Sequence, residues 1–147
     1  MISKNLVIYT DGACKGNPGP GGWGFWLEIP KGYVERCGGD KFTTNNAMEL
    51  TAAIKALQFV LDHYEDFPVV IYTDSNYVKK GITEWMNNWV KRGWKTASGK
   101  PVKNKNLWIA LSKFDELLDV EWRWVKGHSM DPGNERADML ANKGVPA

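Results

Sequence analysis

The stretch that decides the fold is Leu6-Val7-Ile8-Tyr9-Thr10-Asp11-Gly12, an apolar run of strand length that ends in an aspartate and a glycine. Its β-branched and aromatic side chains favour a strand, and the near-continuous apolar run indicates a strand buried on both faces. Residues 69–74, with the sequence VVIYTD, repeat the pattern and again end in an aspartate. We therefore predict two central strands of one sheet, over residues 4–11 and 69–73.

The other elements follow from the periodicity of apolar residues and from turn chemistry. They are a glycine-proline loop over 12–24, overlapped by a hairpin over 22–29 and 33–37, helices over 44–63, 104–118 and 134–143, and a strand over 120–125. Residues 75–90 are expected to form one or two short helices interrupted near Gly81, followed by a basic loop over 92–103. Helices that connect strands imply parallel pairing, whereas the glycine-linked strands of the first half imply an antiparallel meander. The predicted fold class is α/β, a mixed sheet with helices packed against it.

Length and composition set the broad class of protein. A chain of 147 residues fits one domain, which we expect over residues 1–147. Its composition, with 43% hydrophobic and 24% charged residues, excludes a disordered chain. The two cysteines, Cys14 and Cys37, are too few for a disulfide scaffold and have no CxxC spacing. The apolar runs are too short to span a bilayer and no signal-type segment opens the chain, so we expect a cytoplasmic protein with no membrane association. The sequence shows no obvious assembly device, so we expect a monomer.

The charge is unevenly distributed along the chain. Residues 76–105 carry eight basic side chains against the single acid Glu84. The formal net charge of the whole chain is only +2, so the rest of the molecule is mildly acidic. A local concentration of cations predicts a polyanionic partner such as nucleic acid.

Four carboxylates are predicted to converge at one edge of the sheet. Asp11 and Asp74 follow the two buried strands, and Glu49 and Asp138 lie near the starts of two predicted helices. Ligands bind at the carboxyl ends of strands in open α/β sheets. Converging carboxylates repel each other, and oxygen-only ligands favour hard divalent cations such as Mg²⁺ or Mn²⁺ over zinc. Each acid also has a local alternative: a turn at Asp11, a helix cap at Asp74, and favourable helix-dipole positions for Glu49 and Asp138.

Four blocks of sequence resemble those of type 1 ribonuclease H, in order and over nearly the whole chain. They are YTDGACKGNPGPGG at 9–22, TTNNAMEL at 43–50, YTDSNYV at 72–78, and WRWVKGH at 122–128 followed by NERAD at 134–138. Residues 85–95, WMNNWVKRGWK, further resemble the basic protrusion of the bacterial enzymes.

The resemblance implies a fold and a reaction. The implied ribonuclease H-like fold is a five-stranded mixed sheet, with the first three strands antiparallel, the fourth and fifth parallel, and helices on both faces. The implied enzyme is an endonuclease that cuts the RNA strand of an RNA–DNA hybrid and leaves 5′-phosphate and 3′-hydroxyl ends. Two Mg²⁺ ions, with Mn²⁺ as an alternative, would clamp the attacking and leaving oxygens.

Residue roles carry over by matching positions. Asp11 would bridge the metal ions, Asp138 would hold the ion on the side of the nucleophile, and Glu49 and Asp74 would hold the other. His128 would transfer a proton or assist product release. The hybrid would be the partner, with no obligate protein partner.

Substrate-binding positions carry over in the same way. Cys14 and Asn45 match positions at the RNA strand, Thr44 matches one that holds a DNA phosphate, and Gly12 lies in a loop whose backbone can approach a sugar closely. The polar groove would also contain Asn17, Asn46 and Asn76. The DNA strand would be gripped by Trp85, Trp89, Lys91, Arg92, Trp94 and Lys95.

Three alternatives stay open from the residues alone. Asn45 and Asn46 would serve only as helix caps, and Trp85 and Trp89, four residues apart, would belong to the core. A non-catalytic hybrid-binding module is the alternative function, although it would be expected to lack one of the carboxylates. A nucleotide-binding dehydrogenase is excluded because no GxGxxG or GxxxxGK[ST] loop follows a strand.

Overall fold

The computed structural model describes residues 5–127 and 131–147 and contains one five-stranded sheet. The strands are β1 Leu6–Cys14, β2 Gly19–Ile29, β3 Gly32–Thr43, β4 Val69–Thr73 and β5 Val120–Trp124. The helices are α1 Asn45–His63, α2 Asn76–Lys80, α3 Met86–Lys91, α4 Lys105–Leu117 and α5 Pro132–Gly144, and one π-helical turn, Gly81–Trp85, joins α2 to α3.

The sheet is mixed and has the order β3-β2-β1-β4-β5. The pairs β1–β2 and β2–β3 are antiparallel, and β1–β4 and β4–β5 are parallel. The central strand β1 therefore has a parallel neighbour on one side and an antiparallel neighbour on the other. This topology confirms the predicted fold class and the predicted pairing of each half.

Helices cover both faces of the sheet, as predicted. On one face, Ile8 and Ile71 are fully buried in the hydrophobic core together with side chains of α1 and with Trp108 and Leu111 of α4. Tyr9 points to the opposite face, because successive side chains of a strand alternate, and its ring lies against α5. Within the described residues, no helix combines the length and apolar character needed to cross a membrane.

The first three strands are longer than predicted, and the loop predicted over residues 12–24 is confined to residues 15–18. The β1–β2 ladder continues from Asp11, which pairs with Gly24, as far as Cys14, which pairs with Gly21. Glycine and proline favour turns, but most of these glycines lie where another backbone packs against the strand. By contrast, the bounds of α1, β4 and β5 agree with the prediction to within about one residue.

The basic segment, defined here as residues 76–105, is attached to the core by aromatic packing. Trp89 and Trp94 pack against the core cluster, and the fully buried Trp108 of α4 lies 5.3 Å from Trp89 between ring centroids. The Trp108 indole donates a 3.0 Å hydrogen bond to the hydroxyl of Tyr77. The cationic surface thus lies over aromatic side chains that pack against the core.

Candidate metal centre and nucleic-acid interface

Three carboxylates meet where the parallel strands end. Asp11 follows Thr10, the last residue of β1 that pairs with β4, and Asp74 follows the last residue of β4. Glu49 reaches the same point from α1. One oxygen from each of Asp11, Glu49 and Asp74 lies within 4.8 Å of the others, so the predicted convergence is present for these three residues.

Glu49 reaches the strand ends because α1 approaches β1 very closely. A Cβ atom at Gly12 would lie 2.5 Å from the backbone nitrogen of Glu49. Only glycine leaves room for this contact between a strand and the first turns of a helix. The glycine after Asp11 therefore allows the two carboxylates to meet.

Asp138 lies on the wall of the same cleft but outside this tight cluster. The cleft has a volume of about 480 Å³, and Asp138 lines it together with Asp11, Glu49 and Asp74. The prediction that Asp138 is near the start of its helix is wrong, because α5 begins at Pro132 and Asp138 is in its second turn. The side chain is half-buried and faces the other three carboxylates from the opposite element.

Burial and mutual repulsion raise the pKa values of the clustered acids. Burial, and then the charge of Asp74, raises the pKa of Asp11 to about 8, and Asp138 adds to this effect. Burial raises the pKa of Glu49 well above its usual value, with the charges of Asp11 and Asp74 adding to it. Burial also raises the pKa of Asp74. Full ionisation of the three groups would thus place more negative charge here than this environment stabilises on its own.

A hard divalent cation fits this donor set. The Oε1 atom of Glu49 is buried and has no hydrogen-bond partner among the described residues. Such an atom is costly unless another group, such as a metal ion, satisfies it. All the available donors are carboxylate oxygens, which suit Mg²⁺ and Mn²⁺.

The raised pKa values predict that the metal-free protein loses stability as the pH rises. Folded Asp11 binds its proton up to about pH 8, whereas the unfolded group releases it near its ordinary pKa of 3.8, so the folded state binds more protons between these values. The free energy of unfolding in EDTA should therefore fall by on the order of 2 kcal/mol between pH 5.5 and 8.5. Urea titrations at several pH values measure this, and saturating Mg²⁺ should flatten the curve. A rise over this range would contradict the prediction.

Asp74 is held in place through its backbone. The indole nitrogen of Trp124 donates a 3.2 Å hydrogen bond to the Asp74 carbonyl, and the ammonium of Lys79 lies 5.6 Å from the centre of the Trp124 ring. The alternative that Asp74 caps the next helix is wrong, because Ser75 is the N-cap of α2 and accepts from the backbone nitrogen of Val78. The Asp74 carboxylate is therefore free for the cleft.

The predicted polar positions surround the carboxylates. Gly12, Asn45, Asn46 and Asn76 line the cleft. Thr44 caps α1 by accepting from the backbone nitrogen of Ala47, so the alternative that Asn45 and Asn46 are only helix caps is wrong.

Two further predicted positions tie the glycine-rich loop to this region. Asn17 accepts a 2.8 Å hydrogen bond from the Asn45 backbone, and the Cys14 thiol donates to the carbonyl of Thr43 at 3.4 Å. The Asn17 contact joins the loop after β1 to the start of α1, and the Cys14 contact joins the end of β1 to the end of β3. The loop and the helix start thus form one continuous polar wall.

The tryptophans of the basic segment are both core and surface. Trp85, Trp89 and Trp94 are all half-buried; Trp89 and Trp94 pack against the core, while Trp85 contacts Tyr77 and Trp89. Sequence periodicity could not separate the two roles, because a half-buried indole serves both. The cations between them, Lys91, Arg92 and Lys95, are exposed.

Three residues that line the cleft are absent from the residues predicted for the site. Ser75, Tyr77 and Gly127 also line the cleft. Their only sequence signal is their position beside Asp74 or inside the WRWVKGH block. His128, expected to transfer a proton, lies outside the described residues.

Several known proteins similar to this chain are named ribonuclease H. The family model for RNase H matches residues 3–146. A ribonuclease H of Hahella chejuensis (strain KCTC 2396) is 59% identical over 142 residues, which cover 97% of this chain and 94% of the relative. A ribonuclease HI of Pseudomonas aeruginosa is 58% identical over 142 residues, with the same coverage. The solved structure of LC9-RNase H1, a type 1 RNase H with the type 2 active-site motif, superposes with a TM-score of 0.84 at 35% identity, over 99% of this chain and 74% of that one.

Proposed function

This chain belongs to the ribonuclease H family, with the bacterial type 1 enzymes, and on that premise we propose that Asp11, Glu49, Asp74 and Asp138 form its divalent-metal site. The chain is an endoribonuclease that degrades RNA–DNA hybrids. The observation that carries the metal site is the buried, unpartnered Oε1 of Glu49 within a cluster of three carboxylates.

The proposed cofactor is Mg²⁺, two ions per site, with Mn²⁺ as an alternative. When bound, the ions would activate the attacking water and stabilise the leaving 3′ oxygen. One product fragment would then end in a 3′-hydroxyl and the other would begin with a 5′-phosphate. Asp11 is central in the cluster and would contact both ions. Asp138, on the opposite wall, would hold the ion on the nucleophile's side, and Glu49 and Asp74 the other.

The polar wall would distinguish RNA from DNA at the cleft. Only RNA presents 2′-hydroxyls. Asn45 and Gly12 line the cleft beside the carboxylates and would contact a sugar there, and Cys14, two residues further along β1, would contact the same RNA strand. The Thr44 hydroxyl accepts from Ala47 but keeps its own hydrogen to donate to a DNA phosphate. Asn17 uses its carbonyl oxygen on Asn45 and keeps its amide hydrogens for the substrate, and Asn46 and Asn76 extend the wall.

His128 is proposed to move a proton at the cleft. It directly follows Gly127, which lines the cleft. A neutral imidazole near physiological pH can accept and return a proton. We propose that it assists either the attacking water or the departure of the product.

Cleavage of a short labelled hybrid tests the proposed chemistry. The protein should cut only the RNA strand, only with Mg²⁺ or Mn²⁺, and should leave RNA–RNA and DNA–DNA duplexes intact. EDTA should stop the reaction, and the fragments should carry 5′-phosphate and 3′-hydroxyl ends. Hybrid binding without cleavage in either metal would contradict the proposal and would favour a binding module.

The basic segment predicts a salt-dependent grip on the DNA strand. The exposed Lys91, Arg92 and Lys95 lie beside Trp85, Trp89 and Trp94, an arrangement that suits phosphate contacts and packing against sugars. Replacing all three cations by alanine should weaken hybrid binding at 50 mM salt by about 10- to 100-fold and reduce the salt slope of log Kd by about 2 to 3.

Fluorescence anisotropy in Ca²⁺ at several salt concentrations measures this slope. A triple alanine variant at the exposed Lys31, Lys113 and Lys143 removes the same charge from outside the basic segment and is the matched control. Equal slopes for the two triple variants would mean that only the overall charge matters and would contradict a local grip.

We also propose a domain organisation, a location and an oligomeric state for the protein. Residues 1–147 would act as a single ribonuclease H domain, as a cytoplasmic monomer whose partner is the hybrid duplex. The match of the family model over residues 3–146 supports one domain. Sedimentation at micromolar concentration tests the oligomeric state, and a dimer would contradict it.

A further inference from the structure

The ring of Tyr9 touches each of the elements that carry the aspartates of the cleft. Tyr9 belongs to β1, two residues before Asp11 and on the same face of the strand. Its register partner in β4 is Tyr72, two residues before Asp74, and the two rings stack at 4.8 Å between centroids with an angle of 11° between planes.

The Tyr9 ring also packs against α5, the helix that carries Asp138. A Cβ atom at Gly133, the second residue of α5, would collide with three ring atoms of Tyr9. A glycine in the first turn weakens a helix, so its presence needs a reason, and the close approach of the ring supplies one. Asp131 caps this first turn of α5 by accepting from the backbone nitrogens of Gly133 and Asn134.

Neighbouring side chains fix the ring from the remaining sides. Trp26, the register partner of Tyr9 in β2, lies 6.0 Å away between centroids at an angle of 29°. Arg123 of β5 donates to the Tyr72 hydroxyl at 3.1 Å and lies over the Tyr72 ring. The neighbouring strand β5 therefore also holds the Tyr72 ring of the stacked pair. The Tyr9 ring thus has little freedom to shift.

We propose that Tyr9 is a positioning residue for the metal site: its ring sets the spacing of β1, β4 and α5 and thereby the mutual distances of Asp11, Asp74 and Asp138. The need for such a clamp follows from the repulsion between the carboxylates, which pushes these three elements apart when the carboxylates are ionised and no cation is bound. The stacked rings of Tyr9 and Tyr72, each two residues before an aspartate in its strand, oppose that separation. This inference rests on the proposed metal site.

Calorimetric titration of the free protein with Mg²⁺ tests the proposal without relying on cleavage. We expect Tyr9→Leu to weaken Mg²⁺ binding by about 10- to 100-fold, the range for residues that orient metal ligands. Tyr9→Phe keeps the ring and should bind within about twofold of the wild type, because no hydrogen bond of the Tyr9 hydroxyl is used in the clamp. Gly133→Ala leaves the ring in place but displaces α5 from it, and should also weaken binding.

Tyr33→Leu is the matched control. Tyr33 lies on the same face and contacts Trp26 at 6.0 Å, but it is 55% exposed and lies on the edge strand β3. It should lose some stability in urea and keep the Mg²⁺ affinity. In cleavage assays Tyr9→Leu should lower kcat at fixed Mg²⁺ and leave KM for the hybrid within about twofold, since the basic segment is untouched.

The possible outcomes separate the two proposals. A wild type that binds no Mg²⁺ contradicts the metal site itself. A wild type that binds Mg²⁺, with folded Tyr9→Leu and Gly133→Ala variants that bind it equally well, overturns the role of Tyr9. If Tyr9→Leu does not fold, the Mg²⁺ affinities of Gly133→Ala and Tyr72→Leu test the proposal instead. Unchanged Mg²⁺ affinity in both variants also overturns the role of Tyr9.

Discussion

Asp11→Asn is expected to lower the rate of hybrid cleavage at least about a thousandfold and, at the same time, to make the metal-free protein more stable. Replacing residues that only orient metal ligands costs about 10- to 100-fold, so the loss of a ligand central to the site should cost more. A thousandfold loss corresponds to about 4 kcal/mol of transition-state stabilisation. Steady-state cleavage of the hybrid in Mg²⁺ measures this part of the prediction.

The stability gain has a separate physical cause. Asparagine keeps the oxygen that accepts the 2.9 Å hydrogen bond from Gly12, but it removes one of three neighbouring acids whose pKa values are raised by burial. Its amide group can also donate to the carboxylates nearby. In EDTA at pH 8 we expect the free energy of unfolding to rise by about 2 kcal/mol and Tm by about 5 °C.

Asp119→Asn is the control for this pair of effects. Asp119 is an exposed acid in the turn before β5, so its replacement should change neither activity nor stability appreciably. An Asp11→Asn variant that is inactive but less stable than the wild type in EDTA would contradict the electrostatic account. One that cleaves at the normal rate would contradict the assignment of Asp11 as a ligand.

Trp108→Ala is expected to cause the largest loss of stability. Trp108 is fully buried, donates to the Tyr77 hydroxyl and packs against Trp89, and Gly81 has no side chain because the Trp108 ring occupies that space. Truncating a buried aromatic side chain costs about 3–5 kcal/mol, out of a total of about 5–15 kcal/mol for a typical domain. Because Trp89 supports the basic segment, hybrid binding should weaken as well.

Urea and thermal unfolding followed by circular dichroism measure this loss, and Tm should fall by about 10 °C. Leu117→Ala on the same helix is the control, since Leu117 is 65% exposed and its loss should cost no more than about 0.5 kcal/mol. A loss below about 1 kcal/mol for Trp108→Ala would mean that the core collapses around the cavity or that the indole is not a central contact.

The elements with strong periodicity could be predicted, and those rich in glycine could not. The helix that became α1 and the strands β4 and β5 have uninterrupted apolar patterns and were placed to within about one residue. The glycine-proline stretch after Asp11 was predicted to be a loop, because glycine favours turns whenever the neighbouring backbone is unknown. In the folded chain, several of those glycines instead allow α1 and α5 to approach the sheet.

In the candidate site, too, some features follow from the sequence and others depend on the tertiary structure. The sequence by itself determined the fold class, the sheet pairing of both halves, the four acids and the cationic segment, because each depends on residue type and on local or periodic order. Tertiary structure alone decided which acids meet within 4.8 Å, that Asp138 faces them from the second turn of α5, and that the Oε1 of Glu49 is left without a partner. It also decided that Tyr9 stacks on Tyr72 beneath them. The physical reason is that distances and desolvation between residues far apart in the chain depend on how helices pack on the sheet, which no local pattern encodes.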